Sequence, residues 1–205
     1  MYLDDYKRWL EADLIDVDLG TELLSIKDDE EAVKERFAVA LKFGTAGLRG
    51  TLGAGTNRMN IWVVRQATQG VADWVKTQGG SQTVAISYDS RLKGWNFARD
   101  AAGVLAANGI NVRIYDELMP VPALSFATRY YKCNAGIMIT ASHNPAKYNG
   151  FKAYGPDGCQ MTDDAAAVVY DSIQKTDVLT GAKYMSFAEG VEKGLIRFVG
   201  DDCKE

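Results

Sequence analysis

Strand and helix alternate through the middle of this sequence, helical spacing flanks that region, and 47% of the 205 residues are hydrophobic. Together these predict an α/β fold: three layers, α/β/α, around a mixed, mostly parallel sheet of about four strands, with extra helices at the amino terminus. The length exceeds the ~150 residues of an average domain, and the apolar share is ample for one core.

The elements follow in order. Leu3, Tyr6, Leu10 and Leu14 recur at three- and four-residue steps and predict a packing helix. The run "DDEEAVKERFAVAL" from Asp28 to Leu41 predicts a second helix, with its acidic residues in the first turn, where the helix dipole favours them. "FGTAGLRGTLGAGTNRMN" then carries Gly44, Gly47, Gly50, Gly53 and Gly55, too many glycines for a helix and enough to let backbone approach a ligand. Arg49 and Arg58 are its cations. Asn60 is placed to cap a helix through Ile61, Val64, Thr68, Val71 and Val75 that stops at Gly79-Gly80.

Beyond it the expected order is a strand from Thr83 to Ser87, a helix near Trp95 to Ala107, and a strand from Asn111 to Tyr115. A Pro-started helix near Pro122 to Tyr131 leads into a strand from Ala135 to Thr140. This is a right-handed parallel βαβαβ unit. Phe151 to Tyr154 adds a further strand, read as antiparallel, before the turn "GPDG", and Thr162 caps a helix with Asp163 and Asp164 in its first turn. From Gly181 the signals are mixed, and the chain ends in the polar "GDDCKE".

Composition excludes several classes. With 23 basic against 27 acidic residues the net charge is −4, so no global basic field would hold nucleic acid or an anionic membrane. "MYLDDYKRWLEADL" lacks the basic start and apolar centre of a signal peptide, and no apolar run reaches membrane-spanning length; the expected location is cytoplasmic. Cys133, Cys159 and Cys203 are odd in number and far apart, which argues against a disulfide framework and against a zinc site.

Ligands of open α/β sheets bind beyond the carboxyl ends of the parallel strands. Two predicted loops lie there: "YDSR" (Tyr88 to Arg91) and "ASHNP" (Ala141 to Pro145), where Ser142 stands beside the only histidine, His143. A hydrolase triad is disfavoured because the G-x-S-x-G elbow is missing and neighbours in an extended segment point to opposite sides. No G-K-S or G-K-T exists for a P-loop, and "GAGTNR" lacks the last glycine of a dinucleotide fingerprint. A serine hydroxyl with Arg49, Arg91, Lys152 and His143 available does suit phosphoryl transfer, which works by positioning and charge stabilisation. The residues alone leave Ser142 open between that role and an ordinary turn serine. Arg91 stands equally open between a functional cation and a solvated or ion-paired one, His143 is open to a structural role, and Lys152 to that of an edge lysine.

"GTAGLRG", "YDSR", "TASHNP" and "NGFK", in this order from Gly44 to Lys152, resemble the first domain of the α-D-phosphohexomutases, the phosphoglucomutase and phosphomannomutase superfamily. The helical lead-in and "GAGTNRMN" are similar to the branch that contains phosphoglucomutases and phosphopentomutases. The resemblance implies a lead-in at 1–42, the phosphoserine domain at 43–200, and a tail or linker to further domains at 201–205. It implies that Ser142 carries the transferred phosphoryl group and, through that phosphate, contacts Mg²⁺. A sugar 1,6-bisphosphate would be the activator and a hexose or pentose phosphate the substrate. Arg49, His143 and Lys152 match positions for proton transfer or charge stabilisation; an arginine stays protonated, which favours the electrostatic role for Arg49. Arg91 and Asn144 match the phosphate environment. The sequence departs from the family in lacking the D-G-D-x-D-R metal loop, and the pairs Asp28-Asp29, Asp163-Asp164 and Asp201-Asp202 have the wrong spacing. The implied activity therefore belongs to a longer chain with carboxyl-terminal domains, and the isolated domain is expected to be inactive. The alternatives are a phosphomannomutase or phosphopentomutase domain, or a module that binds a sugar phosphate or a partner without turnover.

Overall fold

The computed structural model describes residues 2–12, 14 and 16–204. Three helices come first: α1 (Tyr2–Glu11), α2 (Val17–Ser25) and α3 (Glu30–Phe37). Their shared core is aromatic, with Tyr6 and Trp9 edge-on to Phe37 at 5.6 and 5.8 Å. The buried face of α1 is thus Tyr6, which belongs to the predicted stripe, and Trp9, which does not; Leu3 and Leu10 of that stripe are 44% and 38% exposed. The larger rings bury more apolar area, so they set the rotation of the helix. Helix α2 is an element that the sequence reading did not assign; Asp16 caps it, accepting from the Asp18 N–H.

The remainder runs β1 (Leu48–Thr51), α4 (Ile61–Thr77), β2 (Thr83–Tyr88), α5 (Gly94–Ala107), β3 (Asn111–Ile114), α6 (Val121–Tyr130), β4 (Ala135–Ile139), β5 (Tyr148–Tyr154), α7 (Asp163–Lys175), α8 (Phe187–Glu192), β6 (Ile196–Phe198) and α9 (Asp201–Lys204). Among the described residues the sheet has six strands in the order β1-β5-β4-β2-β3-β6. β2, β3, β4 and β6 pair in parallel; β5 is antiparallel to both β4 and β1.

The α/β/α architecture agrees with the predicted one, and the strand count of six exceeds the expected four. The two additional strands escaped detection for physical reasons. β1 lies inside the glycine-rich segment read as a loop, and β6 is a three-residue edge strand, too short for a periodic signal. Residues 201–204 of the expected tail or linker form α9, where Lys204 Nζ lies 2.6 Å from Asp116; Glu205 lies outside the described residues.

Alternation along the strands separates two cores. Val84, Ile86, Ile137, Ile139 and Phe151 face α4, α5 and α7, whereas Ala85, Met138 and Tyr154 face α6. The central strands β2 and β4 are buried along their whole length, which is why they read as continuous apolar runs.

Candidate active site

The site begins where β4 ends. Ser142 has φ 57°, a left-handed conformation that costs a non-glycine residue about 1–2 kcal/mol. Several contacts hold it there. Its N–H donates to Thr140 Oγ1 at 2.9 Å, and that hydroxyl donates to Asp89 Oδ2 at 2.5 Å. Asn144 closes the turn by donating through its N–H and its Nδ2 to the Ala141 carbonyl, at 3.1 and 2.8 Å. The Ser142 side chain itself is exposed.

The left-handed turn also corrects one step of the sequence argument. Ser142 is not extended, so its neighbour does not point away, and His143 Nδ1 lies 3.3 Å from Ser142 Oγ. Among the described residues no carboxylate bonds His143, so the third member of a hydrolase triad is missing there.

Two cations share the space over the serine. Arg49 on β1 pairs with Gly150 on β5, and Lys152 lies two residues further along β5, so both side chains leave the same face of the sheet. Thr140 continues β4 on that face, since Lys152 is the register partner of Met138. Arg49, Lys152, Thr140 and Ser142 line one cavity of about 330 Å³ together with the Ala46–Leu48 backbone. Among the described residues neither the Arg49 nor the Lys152 side chain makes a hydrogen bond or an ion pair, so both charges are available to a ligand.

Two glycines permit this close packing. A Cβ on Gly47, whose φ is 78°, would stand 1.9 Å from the Phe151 carbonyl oxygen. One on Gly150 would stand 2.6 Å from that of Thr140. Gly47, read from the sequence as one of the glycines that let backbone approach a ligand, is demanded here by the approach of β5 backbone beside Arg49.

Arg91 lies apart from that pair. Its side chain is only 11% exposed and does not line the cavity; its guanidinium faces the backbone of the serine turn. Asp89 and Thr140 were missed as site residues. Both stand in quoted motifs, Asp89 in "YDSR" and Thr140 at the head of "TASHNP", but nothing in the sequence linked the two until the fold placed them side by side. A larger cavity of about 520 Å³ lies elsewhere, against Arg65, Lys93 and Asp100. Most of its charges are matched internally by the Arg65–Asp100 and Lys93–Asp16 ion pairs, and Arg99 lies over the Phe187 ring.

Among the described residues no group of three His, Cys, Asp or Glu could hold a metal. Asp89, the carboxylate nearest the serine turn in these contacts, is already bonded to Thr140 and Arg91. A Mg²⁺ ion would therefore find no ligand cluster in these residues.

A serine turn beyond the carboxyl end of a parallel strand, with two cations beside it that lack side-chain partners among the described residues, stands where open α/β sheets take their ligands. Residues 40–179 match the phosphoglucomutase/phosphomannomutase family, alpha/beta/alpha domain I, and the chain belongs to that family. It is 38% identical over 176 residues to a phosphoglucomutase of Staphylococcus saprophyticus, covering 86% of this chain and 32% of that one. It is 43% identical over 142 residues to a phosphoglucomutase of Staphylococcus aureus strain USA300, covering 69% and 26%. The fold is also that of a phosphoglucomutase/phosphomannomutase family protein from Burkholderia thailandensis, with a TM-score of 0.59 at 24% identity over 77% of this chain and 32% of that one. The chain thus spans about a quarter to a third of the length of the curated relatives it matches.

Proposed function

We propose that this chain is the phosphoserine-bearing part of a phosphoglucomutase-type enzyme, in which Ser142 hands a phosphoryl group to a sugar phosphate and takes one back. As the Ser142 Oγ–P bond breaks, a sugar hydroxyl oxygen bonds to phosphorus, the hydroxyl proton passes to solvent water, and a proton arrives on Oγ. His143, with Nδ1 3.3 Å from Oγ, is placed to deliver that proton and to remove it on the return. A seryl phosphate would carry about −1.5 to −2 charges. The observation that carries the reading is the cavity in which Arg49 and Lys152, both without partners among the described residues, face the serine. Arg49 supplies fixed charge, and Lys152 supplies charge on a longer, mobile stem.

Phosphoglucomutase is favoured over the phosphomannomutase and phosphopentomutase alternatives by the names of the relatives above. Mg²⁺ would offset charge on the phosphate in transfer. From these residues it would take only an oxygen of the phosphate on Ser142, and its carboxylate ligands would come from a longer chain. The 205-residue chain alone is accordingly expected to show no turnover.

The test uses the longest natural chain that carries this sequence. Treated with glucose 1,6-bisphosphate, it should gain one phosphoryl group, placed on Ser142 by peptide mass spectrometry. Ser142→Ala should abolish mutase turnover while leaving the fold intact, because an exposed turn hydroxyl contributes about 1 kcal/mol or less to stability. Phosphate on another residue, or turnover that survives the substitution, defeats the proposal.

A further inference from the structure

Arg91 does not line the cavity, and its contacts suggest a different task from phosphate binding. Its Nη1 donates to the carbonyls of Pro145 at 3.2 Å and Tyr148 at 3.0 Å. Its Nη2 donates to those of Asn144, at 2.8 Å, and Ser142. Its Nε makes no hydrogen bond and stands 3.7 Å from Asp89 Oδ2. One guanidinium thus gathers four carbonyls of a single seven-residue turn.

The same short loop holds the other end of the serine. Asp89 Oδ1 accepts the Arg91 N–H at 3.2 Å, while its Oδ2 accepts from Thr140 Oγ1, which accepts the Ser142 N–H. Ser142 is therefore gripped at its carbonyl by Arg91 and at its N–H through Thr140 and Asp89. Asn149 ties down the far end of the turn, donating to the Leu92 carbonyl at 3.0 Å.

We infer that Arg91 is the positioning residue of phosphoryl transfer at Ser142: it locks the serine turn in its left-handed form and draws the carbonyl oxygens away from the incoming phosphate. The electrostatic consequence follows from the dipoles. Carbonyl oxygens turned toward a dianion would repel it, and four of them instead end on a cation outside the cavity. A lysine cannot reproduce this, since a single ammonium lacks the planar fork that serves carbonyls from two nitrogens at once. This inference rests on the phosphoserine reading above and adds to it the device that aims the nucleophile.

The experiment has two arms, only one of which depends on that reading. In hydrogen exchange on the 205-residue chain, Arg91→Ala should raise the exchange rate of the Ser142 and Asn144 amides by at least ~10-fold and leave β4 unchanged. Unchanged exchange in the turn overturns the clamp whatever the enzyme does. In the longest natural chain, transfer from glucose 1,6-bisphosphate to Ser142 should slow by about 100-fold in Arg91→Ala with KM within about threefold, the signature of a misaimed group and not of lost binding. Added guanidinium at non-denaturing concentration should restore part of the rate in Arg91→Ala, and Arg91→Lys should remain slow. A raised KM at unchanged kcat would make Arg91 a phosphate ligand and overturn the inference, as would a fully active Arg91→Lys. Should Arg91→Ala unfold, Thr140→Val, which removes the hydroxyl between Asp89 and the Ser142 N–H, should give the same split between kcat and KM; normal transfer in that variant overturns the inference. A wild-type chain that takes no phosphate on Ser142, with the turn still loosened by Arg91→Ala, would locate the failure in the phosphoserine reading and not in the clamp.

Discussion

Glycine 47 shows how much one residue decides in this site. Its φ of 78° is left-handed, and a methyl group there would meet the Phe151 carbonyl at 1.9 Å, so an alanine is both conformationally strained and in collision with backbone. Gly47→Ala should cost about 2–4 kcal/mol of unfolding free energy, measured by denaturant titration, because backbone cannot yield as a flexible side chain does. In the longer enzyme it should lower activity too, since β1 and β5 carry Arg49 and Lys152. The candidate residues Ser142, His143, Arg49 and Lys152 were legible as residue types within short sequence motifs. Their order of importance was not. A sequence shows that Arg91 is a cation but not that its charge ends on four carbonyls. It shows Thr140 as a strand residue but not as the link between Asp89 and Ser142.

Among elements, α4 depends on a cap with a second duty. Asn60 Oδ1 accepts the Val63 N–H at 3.0 Å, and its Nδ2 donates to the carbonyls of Gly53 and Gly55, each at 2.9 Å. The capping role is visible in the sequence, as an asparagine just before a helical run. The second is not, because the glycine segment read as a free loop. Asn60→Ala should cost about 2–4 kcal/mol, more than the ~1 kcal/mol of a cap alone, since two carbonyls lose their donor as well. Asn60→Asp, which keeps the acceptor and loses the donor, should fall between the two in thermal unfolding; equal stability of Asn60→Asp and the parent would show that the Nδ2 bonds contribute nothing. The stripe predicted for α1 shows the opposite limit. Spacing located the helix and its buried Tyr6 but counted Leu3 and Leu10 and left out Trp9, because Tyr6 and Trp9 found a partner in Phe37 that periodicity within one helix does not contain.

At the scale of the molecule, the thiols report how the sheet opens. Cys133 and Cys203 lie in the core between the sheet and α6, and Cys159 is exposed. Burial pushes the Cys133 thiol up to about 12 and the Cys203 thiol upward, against an unfolded value of about 8.5. A thiol reagent at mildly alkaline pH should therefore modify Cys159 at once and the other two only at the rate of opening. The sign for stability follows: the unfolded chain sheds these protons first, so stability is intact below pH ~8.5 and declines as pH rises toward the folded value. Cys133→Ala should flatten that alkaline decline in melting temperature; an unchanged slope would assign it to other groups. The sequence by itself determined the α/β/α class, the parallel βαβαβ centre and the turns in which the reactive residues stand, because hydrophobic period and turn chemistry are local. Only the tertiary structure decided that the glycine-rich segment contains a strand, that Arg49 and Lys152 share a face beside Ser142, and that Arg91 grips the turn. Those facts depend on strand register and on hydrogen bonds between residues some fifty positions apart, which no local pattern encodes.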